Sequence, residues 1–499
     1  MTVGFHIEHF GCRAARADGE AVSDRLRAAG LGEREPSVAD VVIVNTCSVT
    51  AEADRAARAF IRRAHRLNPS AKIVVTGCYA QRAPQELAGM AGVEAVVGNS
   101  HKALAPQIAL SLLGHAAKAS GLIQIQASTN LERADSELLA PPQVALAPLQ
   151  AAQVVWAADR FAHSFLEEAQ IVPGTQTRPN LKIQEGCANR CTFCVIPQTR
   201  GPSKSLSFAS ILRHVERFVA AGGNELVLSG INLGRWGRDL PDSEVAAPRT
   251  LAALVRQIFA QTALPRLRLS SIEPMDWDAE LIGLMAEFGN PESGQARLAR
   301  HAHLPLQSGS DAVLRRMHRR YRPWHYADKV AALARAAGPE LTLGADVMVG
   351  FPGETDAEFS ETLTLINAFP FGYLHLFPFS PRPGTPGWAL HAERPVPAEV
   401  VEERLTALRV LASEKSQAHR RSFVGRRLEA ITLHTSAEVN ARGCTIALTE
   451  NFLPVEFEGR EPANQLVWLR VTGLNAGGTL QAEAEIPERA QQEASTISV

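Results

Sequence analysis

Between Leu181 and Leu390, short runs of β-branched and other apolar residues alternate with longer amphipathic stretches, and this alternation narrows the possible folds more than any other feature. Strands are read at Glu225–Ser229, Arg266–Ser271, Ala302–Leu306, Thr342–Val349 and Gly372–Phe379. Parallel strands need long crossovers, usually helical. Repeated βα units over about two hundred residues therefore predict a full or partial parallel barrel, with any site at the carboxyl ends of its strands.

The chain opens with a similar pattern. Strands at Val3–Phe10, Val41–Val44 and Lys72–Val75 alternate with helices at Glu20–Ala29, Ala53–Leu67 and Pro84–Met90, which predicts an α/β domain with a largely parallel sheet ending near Gly114. From Ala116 to Pro179 the text turns Ala-, Gln- and Pro-rich and reads as a linker or insertion, with one amphipathic helix at Ala151–Ala169. A helix at Ala398–Arg421 leads away from the barrel. The period then changes to two: Leu428–Leu433 alternates, and Leu466–Thr472 and Thr479–Glu483 flank the turn Asn475-Ala-Gly-Gly478, so a small all-β barrel is expected. The expected fold class is α/β with a small all-β domain at the end: residues 1–115 an N-terminal parallel α/β domain, 116–179 a linker or insertion, 180–395 a partial (βα) barrel domain, 396–423 a connecting helix, 424–486 the all-β barrel and 487–499 a disordered tail.

At 499 residues the chain exceeds what one core supports. A hydrophobic content of 45% and a formal charge of -1 exclude a disordered or strongly charged polypeptide, so any nucleic-acid surface must be a local patch. The N-terminus lacks a signal-peptide pattern and no apolar run could span a bilayer, so a cytoplasmic location and no membrane partner are expected. Seven cysteines are too few for a disulfide scaffold in a chain this long. Their positions carry the information.

Cys187-Ala-Asn-Arg-Cys191-Thr-Phe-Cys194 places three soft thiolate ligands within eight residues, just after the apolar start Leu181-Lys-Ile183. Three thiolates on one tight loop can hold three corners of a four-iron cube and leave the fourth iron open to a small chelating molecule. A structural zinc loop normally needs a fourth Cys or His at short spacing, and His214 lies twenty residues beyond Cys194. Cys12, Cys47 and Cys78 are far apart in sequence, yet each lies at or just past the end of a predicted parallel strand. Carboxyl ends of neighbouring parallel strands meet on one sheet edge, so the three thiols can converge there. They can equally be three separate buried cysteines, since a free thiol packs as a small hydrophobe. Cys444, in the β segment without a partner cysteine, reads as a plain core or surface thiol.

The stretch Gln184-Glu-Gly-Cys187-Ala-Asn-Arg-Cys191-Thr-Phe-Cys194-Val-Ile-Pro197, followed by Arg200-Gly201, resembles the signature of the radical S-adenosylmethionine methylthiotransferases. So do His303-Leu-Pro-Leu-Gln-Ser-Gly-Ser-Asp311, Asp346-Val-Met-Val-Gly-Phe-Pro-Gly-Glu-Thr355 and Phe379-Ser-Pro-Arg-Pro-Gly-Thr-Pro386. Phe10-Gly-Cys12, Asn45-Thr-Cys47-Ser-Val-Thr50 and Thr76-Gly-Cys78-Tyr-Ala-Gln81 are similar to the family's three further cysteine motifs, although the family's usual Asn after the first cysteine is replaced by Arg13-Ala-Ala-Arg16. The resemblance implies two [4Fe-4S] clusters, one on the catalytic Cys187, Cys191 and Cys194 and one on Cys12, Cys47 and Cys78. It also implies S-adenosylmethionine as cosubstrate, a one-electron donor such as flavodoxin or ferredoxin, and a tRNA anticodon loop as the partner. On this reading a deoxyadenosyl radical made at the first cluster removes hydrogen from an adenine carbon, and sulfur from the second cluster is transferred with a methyl group. Thr76–Gln81 and Tyr373–Phe379 look most like the branch acting on threonylcarbamoyladenosine. Alternatives are the branch acting on isopentenyladenosine and one modifying an aspartate of a ribosomal protein. The C-terminal segment resembles the TRAM domain, a small RNA-binding barrel.

Candidate S-adenosylmethionine contacts are Glu225, after the glycine pair Gly222-Gly223, and Ser271, Gln307 and Asp346 near strand ends. Two basic runs, Arg315–Arg322 and His419–Arg421 with Arg426 and Arg427, are either RNA contacts or solvated helix faces. A reading from another class is a non-catalytic metal-binding RNA-binding protein, which would not need a barrel-length βα segment.

Overall fold

The computed structural model of the chain describes residues 3–114, 154–158, 161, 179–241, 248–289 and 296–485. It divides into two compact units: Met1–Gln170 with Glu185–Asn189 and Cys194–Pro202, and Ile171–Gln184 with Arg190–Phe193 and Ser203–Val499.

In the first unit the run Val41-Val-Ile-Val44 is apolar at every position, as a strand covered on both faces must be, and it is wholly buried. It forms β3 (Val41–Thr46), third in a six-stranded sheet ordered β2-β1-β3-β4-β5-β6. The other strands are β1 (Gly4–His9), β2 (Gly32–Glu33), β4 (Lys72–Gly77), β5 (Val93–Gly98) and β6 (Val154–Trp156), and all pairings are parallel. Alternate residues feed two cores. Phe5, Ile43, Val74 and Val97 pack with Leu26 and Ile108 on one face, and Val42, Val44, Val75 and Val96 with Phe60 and Ile61 on the other. The helix Ala51–Leu67 starts where Thr50 Oγ1 accepts the Ala53 N–H (3.2 Å), with Glu52 and Asp54 in the first turn.

One expectation is corrected here. Val154–Trp156 is a strand paired with Ala95–Val97, not the start of a helix over Ala151–Ala169. Two adjacent valines and a tryptophan suit a pleated surface, and pairing covers an otherwise open edge of β5. Most of that proposed helix, the rest of the linker and the tail 487–499 lie outside the described residues.

In the second unit, β7 (Asn180–Glu185), β8 (Lys204–Ser205), β9 (Glu225–Gly230) and β10 (Arg266–Leu269) form a sheet ordered β10-β9-β7-β8. β11 (His301–His303), β12 (Thr342–Val349) and β13 (Phe371–Pro378) form a second sheet in that order. The sheets adjoin through a bridge from Leu267 to Leu298 and through the Ile272 N–H donating to the His303 carbonyl (3.0 Å). The result is an open row of six parallel strands, β7-β9-β10-β11-β12-β13. The helix Ala398–Arg421 packs on it, with His419 Nε2 and Thr342 Oγ1 2.8 Å apart. The chain then closes a five-stranded barrel from β14 (Arg427–Thr432), β15 (Cys444–Thr449), β16 (Pro454–Glu458), β17 (Leu466–Leu474) and β18 (Leu480–Ala484), filled by Phe423, Leu428, Leu453, Val455, Phe457, Leu469 and Leu480. Among the described residues no helix is long and apolar enough to cross a membrane.

Candidate active site

The parallel register brings the carboxyl ends of β1, β3 and β4 side by side, with His9 opposite Asn45 and Thr46 opposite Gly77. Cys47 directly follows β3, Cys78 directly follows β4, and Cys12 lies three residues beyond β1. Two glycines let this edge close up. A Cβ on Gly11 (φ 118°) would lie 2.7 Å from Cys47 Cβ, and one on Gly77 (φ 100°) would lie 2.3 Å from the Thr46 carbonyl oxygen. Asn45 fixes the loop bearing Cys12 from beneath: its carbonyl accepts the Phe10 N–H (2.8 Å) and its amide donates to the Ala15 carbonyl (2.5 Å). Cys47 and Cys78 are buried and Cys12 is exposed. Burial, then the neighbouring Cys78 and Cys12, pushes the Cys47 thiol up to about 12. The Cys47 thiol therefore resists ionisation unless something positive takes up its charge.

The first unit also contains a buried charge cluster that sequence reasoning missed. Arg200 Nη1 donates to Glu185 Oε1 (2.7 Å) and Asp18 Oδ2 (3.1 Å), and Lys102 Nζ donates to the same two carboxylates (2.5 and 3.0 Å). All four side chains are buried. Burial opposes the charge on Arg200, but Cys78, Glu185, Asp18 and Cys12 together hold it well above the ordinary guanidinium value. Cys78 Sγ also accepts from Asn99 Nδ2 at 3.3 Å, and the same amide donates to the Thr199 carbonyl (2.8 Å). Nothing in the spacing of Asp18, Asn99, Lys102 and Arg200 announces that they share one place.

The cysteine loop leaves β7 at Glu185. Its Cys187 N–H donates to the Gly201 carbonyl (3.0 Å), and Cys187 Sγ accepts the Asn189 N–H (3.4 Å). In the second unit, Cys191 Sγ accepts from Arg319 Nη1 at 3.3 Å. Arg319 is itself buried, with Nη2 on Glu273 (2.6 Å) and its guanidinium stacked on Tyr321 (4.9 Å). Backbone bonds from Thr192 N–H to the Met317 carbonyl (3.1 Å) and from Gly387 N–H to the Thr192 carbonyl (2.7 Å) hold this segment in place.

Glu225 has a different role from the one expected. It sits at the amino end of β9, away from the carboxyl edge, and its buried carboxylate accepts from Arg268 Nε (3.0 Å) and Arg266 Nη1 (3.2 Å). Those two arginines tie the parallel sheet to the terminal barrel, Arg268 through the Thr449 carbonyl (3.1 Å) and Arg266 through Glu429. Ser271 is exposed just past β10. Gln307 follows β11 in a left-handed backbone (φ 64°), is buried, and its Oε1 has no hydrogen-bond partner among the described residues. Asp346 lies on β12, where its Oδ1 faces His303 Nε2 and His375 Nδ1, both at 3.2 Å.

Family models match residues 4–98, as Uncharacterized protein family UPF0004, and residues 181–366, as the Radical SAM superfamily. The chain is 34% identical to threonylcarbamoyladenosine tRNA methylthiotransferase MtaB of Bacillus subtilis, over 92% of this chain and 91% of that protein. The namesake protein of Rickettsia prowazekii is 31% identical over 94% and 95%. The chain belongs to the radical S-adenosylmethionine methylthiotransferase family. A tRNA-2-methylthio-N(6)-dimethylallyladenosine synthase of Parafrankia is 32% identical, over 97% of this chain and 86% of that protein. Among solved structures, the radical S-adenosylmethionine methyltransferase TsrM of Kitasatospora setae shares the fold, with a TM-score of 0.51, 16% identity, and 79% and 75% of the chains covered.

For a methylthiotransferase the donor chemistry fits. The edge of the first sheet offers three sulfurs, and a buried guanidinium lies close enough to stabilise thiolate charge. The first basic run does not form the cationic patch it suggested. Arg315 and Arg322 pair with Asp311 (2.8 and 3.0 Å), Arg316 with Glu358 (2.8 Å) and Arg320 with Asp276 (3.2 Å). In the second run, Arg426 pairs with Glu340 (3.1 Å), while Arg427 lies 4.3 Å over the half-exposed ring of Trp468 and also meets Glu485 (2.5 Å). Cys444 opens β15 in the terminal barrel, with its sulfur 3.7 Å from the Arg442 carbonyl.

Proposed function

We propose that this protein converts N6-threonylcarbamoyladenosine at position 37 of tRNA to its 2-methylthio derivative. The observation that carries the reading is the gathering of Cys12, Cys47 and Cys78 at one sheet edge in a chain that also bears the Cys187, Cys191 and Cys194 loop at the head of six parallel strands. A module that only bound metal and RNA would have no use for the second feature. The substrate follows the printed names of several relatives, which are 30–34% identical over nearly the whole chain.

Cys187, Cys191 and Cys194 would hold one [4Fe-4S] cluster, and Cys12, Cys47 and Cys78 the other. When bound, the first supplies the one-electron chemistry that opens S-adenosylmethionine and the second supplies sulfur. Arg319 lends Cys191 a charge-assisted hydrogen bond and stays charged in a buried setting because Glu273 and Tyr321 accept from it. Arg200 does the corresponding work near Cys78 and Cys12. Ser271 and Gln307, beyond the carboxyl ends of β10 and β11, are the residues we assign to S-adenosylmethionine. Trp468 with Arg427 offers a stacked aromatic and cation on the terminal barrel, suited to an unpaired base. An adenine attacked at a ring carbon must be unstacked, as an anticodon-loop base can be. A cytoplasmic flavodoxin or ferredoxin would serve as electron donor.

Nucleoside mass spectrometry of tRNA from a strain lacking the protein tests the proposal. The 2-methylthio form should vanish while N6-threonylcarbamoyladenosine accumulates. Accumulation of isopentenyladenosine instead would reassign the substrate.

A further inference from the structure

Phe452, in the turn after β15, fixes which face of the parallel strands encloses the barrel interior. Arg268 of β10 lies 5.4 Å from its ring centre, His301 of β11 stacks on it at 4.3 Å, and Tyr373 of β13 approaches at 5.6 Å. Side chains from strands of both sheets can meet one ring only on the side they jointly enclose, so Phe452 plugs the amino end of the lumen. Cross-strand pairing places His303, Gly344 and Tyr373 side by side, and likewise Asp346 and His375. Residues two apart share a face, so His303, Asp346 and His375 stand on this same inner wall, one step further toward the carboxyl edge.

The column is ordered from the plug upward. The Tyr373 hydroxyl lies 2.8 Å from His301 Nε2 and 2.9 Å from His303 Nδ1, His303 Nε2 meets Asp346 Oδ1, and Asp346 Oδ1 meets His375 Nδ1. Burial alone would raise the Asp346 pKa, but the hydrogen bonds and charge of the two imidazoles hold it well below the usual carboxylate range. With Asp346 ionised, both ring nitrogens facing it must donate. Among the described residues His375 is held by one nitrogen, and with 63% of its side chain exposed it is the open end of the column, with Nε2 as its remaining polar atom.

We propose that His375, positioned by Asp346 and His303, is the residue that recognises the carboxylate of the threonylcarbamoyl group. The inference rests on the substrate reading above. A carboxylate arriving at Nε2 would be bridged to Asp346 by the imidazole, with charge-assisted bonds at both ring nitrogens. The dimethylallyl group is pure hydrocarbon and would strand these polar groups. A wall built to hydrogen-bond a substrate rejects an analogue that cannot do so more strongly than an apolar wall rejects an extra group.

The test uses the cluster-loaded enzyme and four anticodon stem-loop RNAs, carrying N6-threonylcarbamoyladenosine, its methyl ester, isopentenyladenosine or plain adenosine. The native enzyme should favour the free acid over the ester by about 10- to 100-fold in kcat/KM, the worth of one charge-assisted hydrogen bond. His375→Phe should lose that preference, mainly through KM on the acid, while His375→Asn recovers part of it. Iron content and thermal midpoint confirm that each variant is loaded and folded. If the native enzyme prefers the isopentenyl RNA, the substrate reading itself is wrong. If it prefers the acid but His375→Phe keeps that preference, or loses rate equally on acid and ester, the recognition role of His375 is wrong and the substrate reading stands.

Discussion

The two cysteine sets manage thiolate charge by different means. Cys191, on a local loop, is half-buried and has a direct donor in Arg319. Cys47 and Cys78, at strand ends, are buried, and the compensating guanidinium of Arg200 is bound to Glu185 and Asp18 rather than to a sulfur. A loop can place one donor against one sulfur. A sheet edge places three sulfurs at once and buries Cys47 and Cys78, whose direct donors, the Val49 N–H and the Asn99 amide, are neutral, so positive charge must come from other elements. Arg200 supplies it, anchored in a buried quartet where it and Lys102 share the carboxylates of Asp18 and Glu185.

The sharpest way to break the comparison is to remove one sulfur from each set. Cys191→Ala should abolish deoxyadenosine formation and methylthio product together. Cys47→Ala should retain part of the deoxyadenosine formation while product disappears, with about half the iron kept, as expected if each set holds one cluster. Product formed by Cys47→Ala at the parental rate would show that the two sets do not divide the work.

Next in size are the two arginines. Arg200→Met takes one cation away from the buried Asp18 and Glu185, and breaking a buried pair in this way costs about 3–5 kcal/mol. Arg319→Met also strands Glu273, but that carboxylate is 19% exposed and can hydrate, so a loss of about 1–3 kcal/mol is expected. Urea midpoints of the two variants should differ in that order. Equal losses would mean that the quartet is no more deeply committed than the loop donor.

Acid should weaken both units alike. Desolvation lowers His9 of the first unit, whose ring packs against Gly19 although the residue as a whole is exposed, and the half-buried His419 of the second from 6.5 to about 4, each with added repulsion from a neighbouring arginine. The unfolded chain binds these protons more readily than the folded one, so their contribution is full above pH 6.5 and is lost between 6.5 and about 4 as pH falls. His419→Gln should flatten that part of a stability-against-pH curve. An unchanged slope would show that His419 does not titrate in the window.

The smallest effect expected is none. Cys444→Ala should leave iron content and activity unaltered, because its sulfur meets the Arg442 carbonyl and Glu456 and no second cysteine lies between residues 424 and 485. A loss of iron would require a new ligand assignment.

The parallel strands were legible because a strand covered on both faces is apolar at every position, as in Val41–Val44, and the terminal barrel because its alternation follows a period of two. The three-cysteine loop was legible for a related reason: its thiols lie within eight residues of chain, so spacing alone puts them near one another. Strand-end placement made the gathering of Cys12, Cys47 and Cys78 conceivable, but only the register of β1, β3 and β4 brings them to one edge. Short-range reading failed where a residue's partner is distant in sequence. Glu225 looked like a ligand beside a glycine turn, yet Arg266 and Arg268 on the neighbouring strand claim it. The basic run Arg315–Arg322 looked like an RNA patch, yet Asp276, Asp311, Glu273 and Glu358 neutralise most of it. The sequence by itself determined the periodicities, and hence the strands, the helices and the chemistry of the thiols. Tertiary structure alone decided which charges are spent on one another and which side chain, His375, is left facing open space, because pairing between distant residues depends on register and packing that no local pattern records.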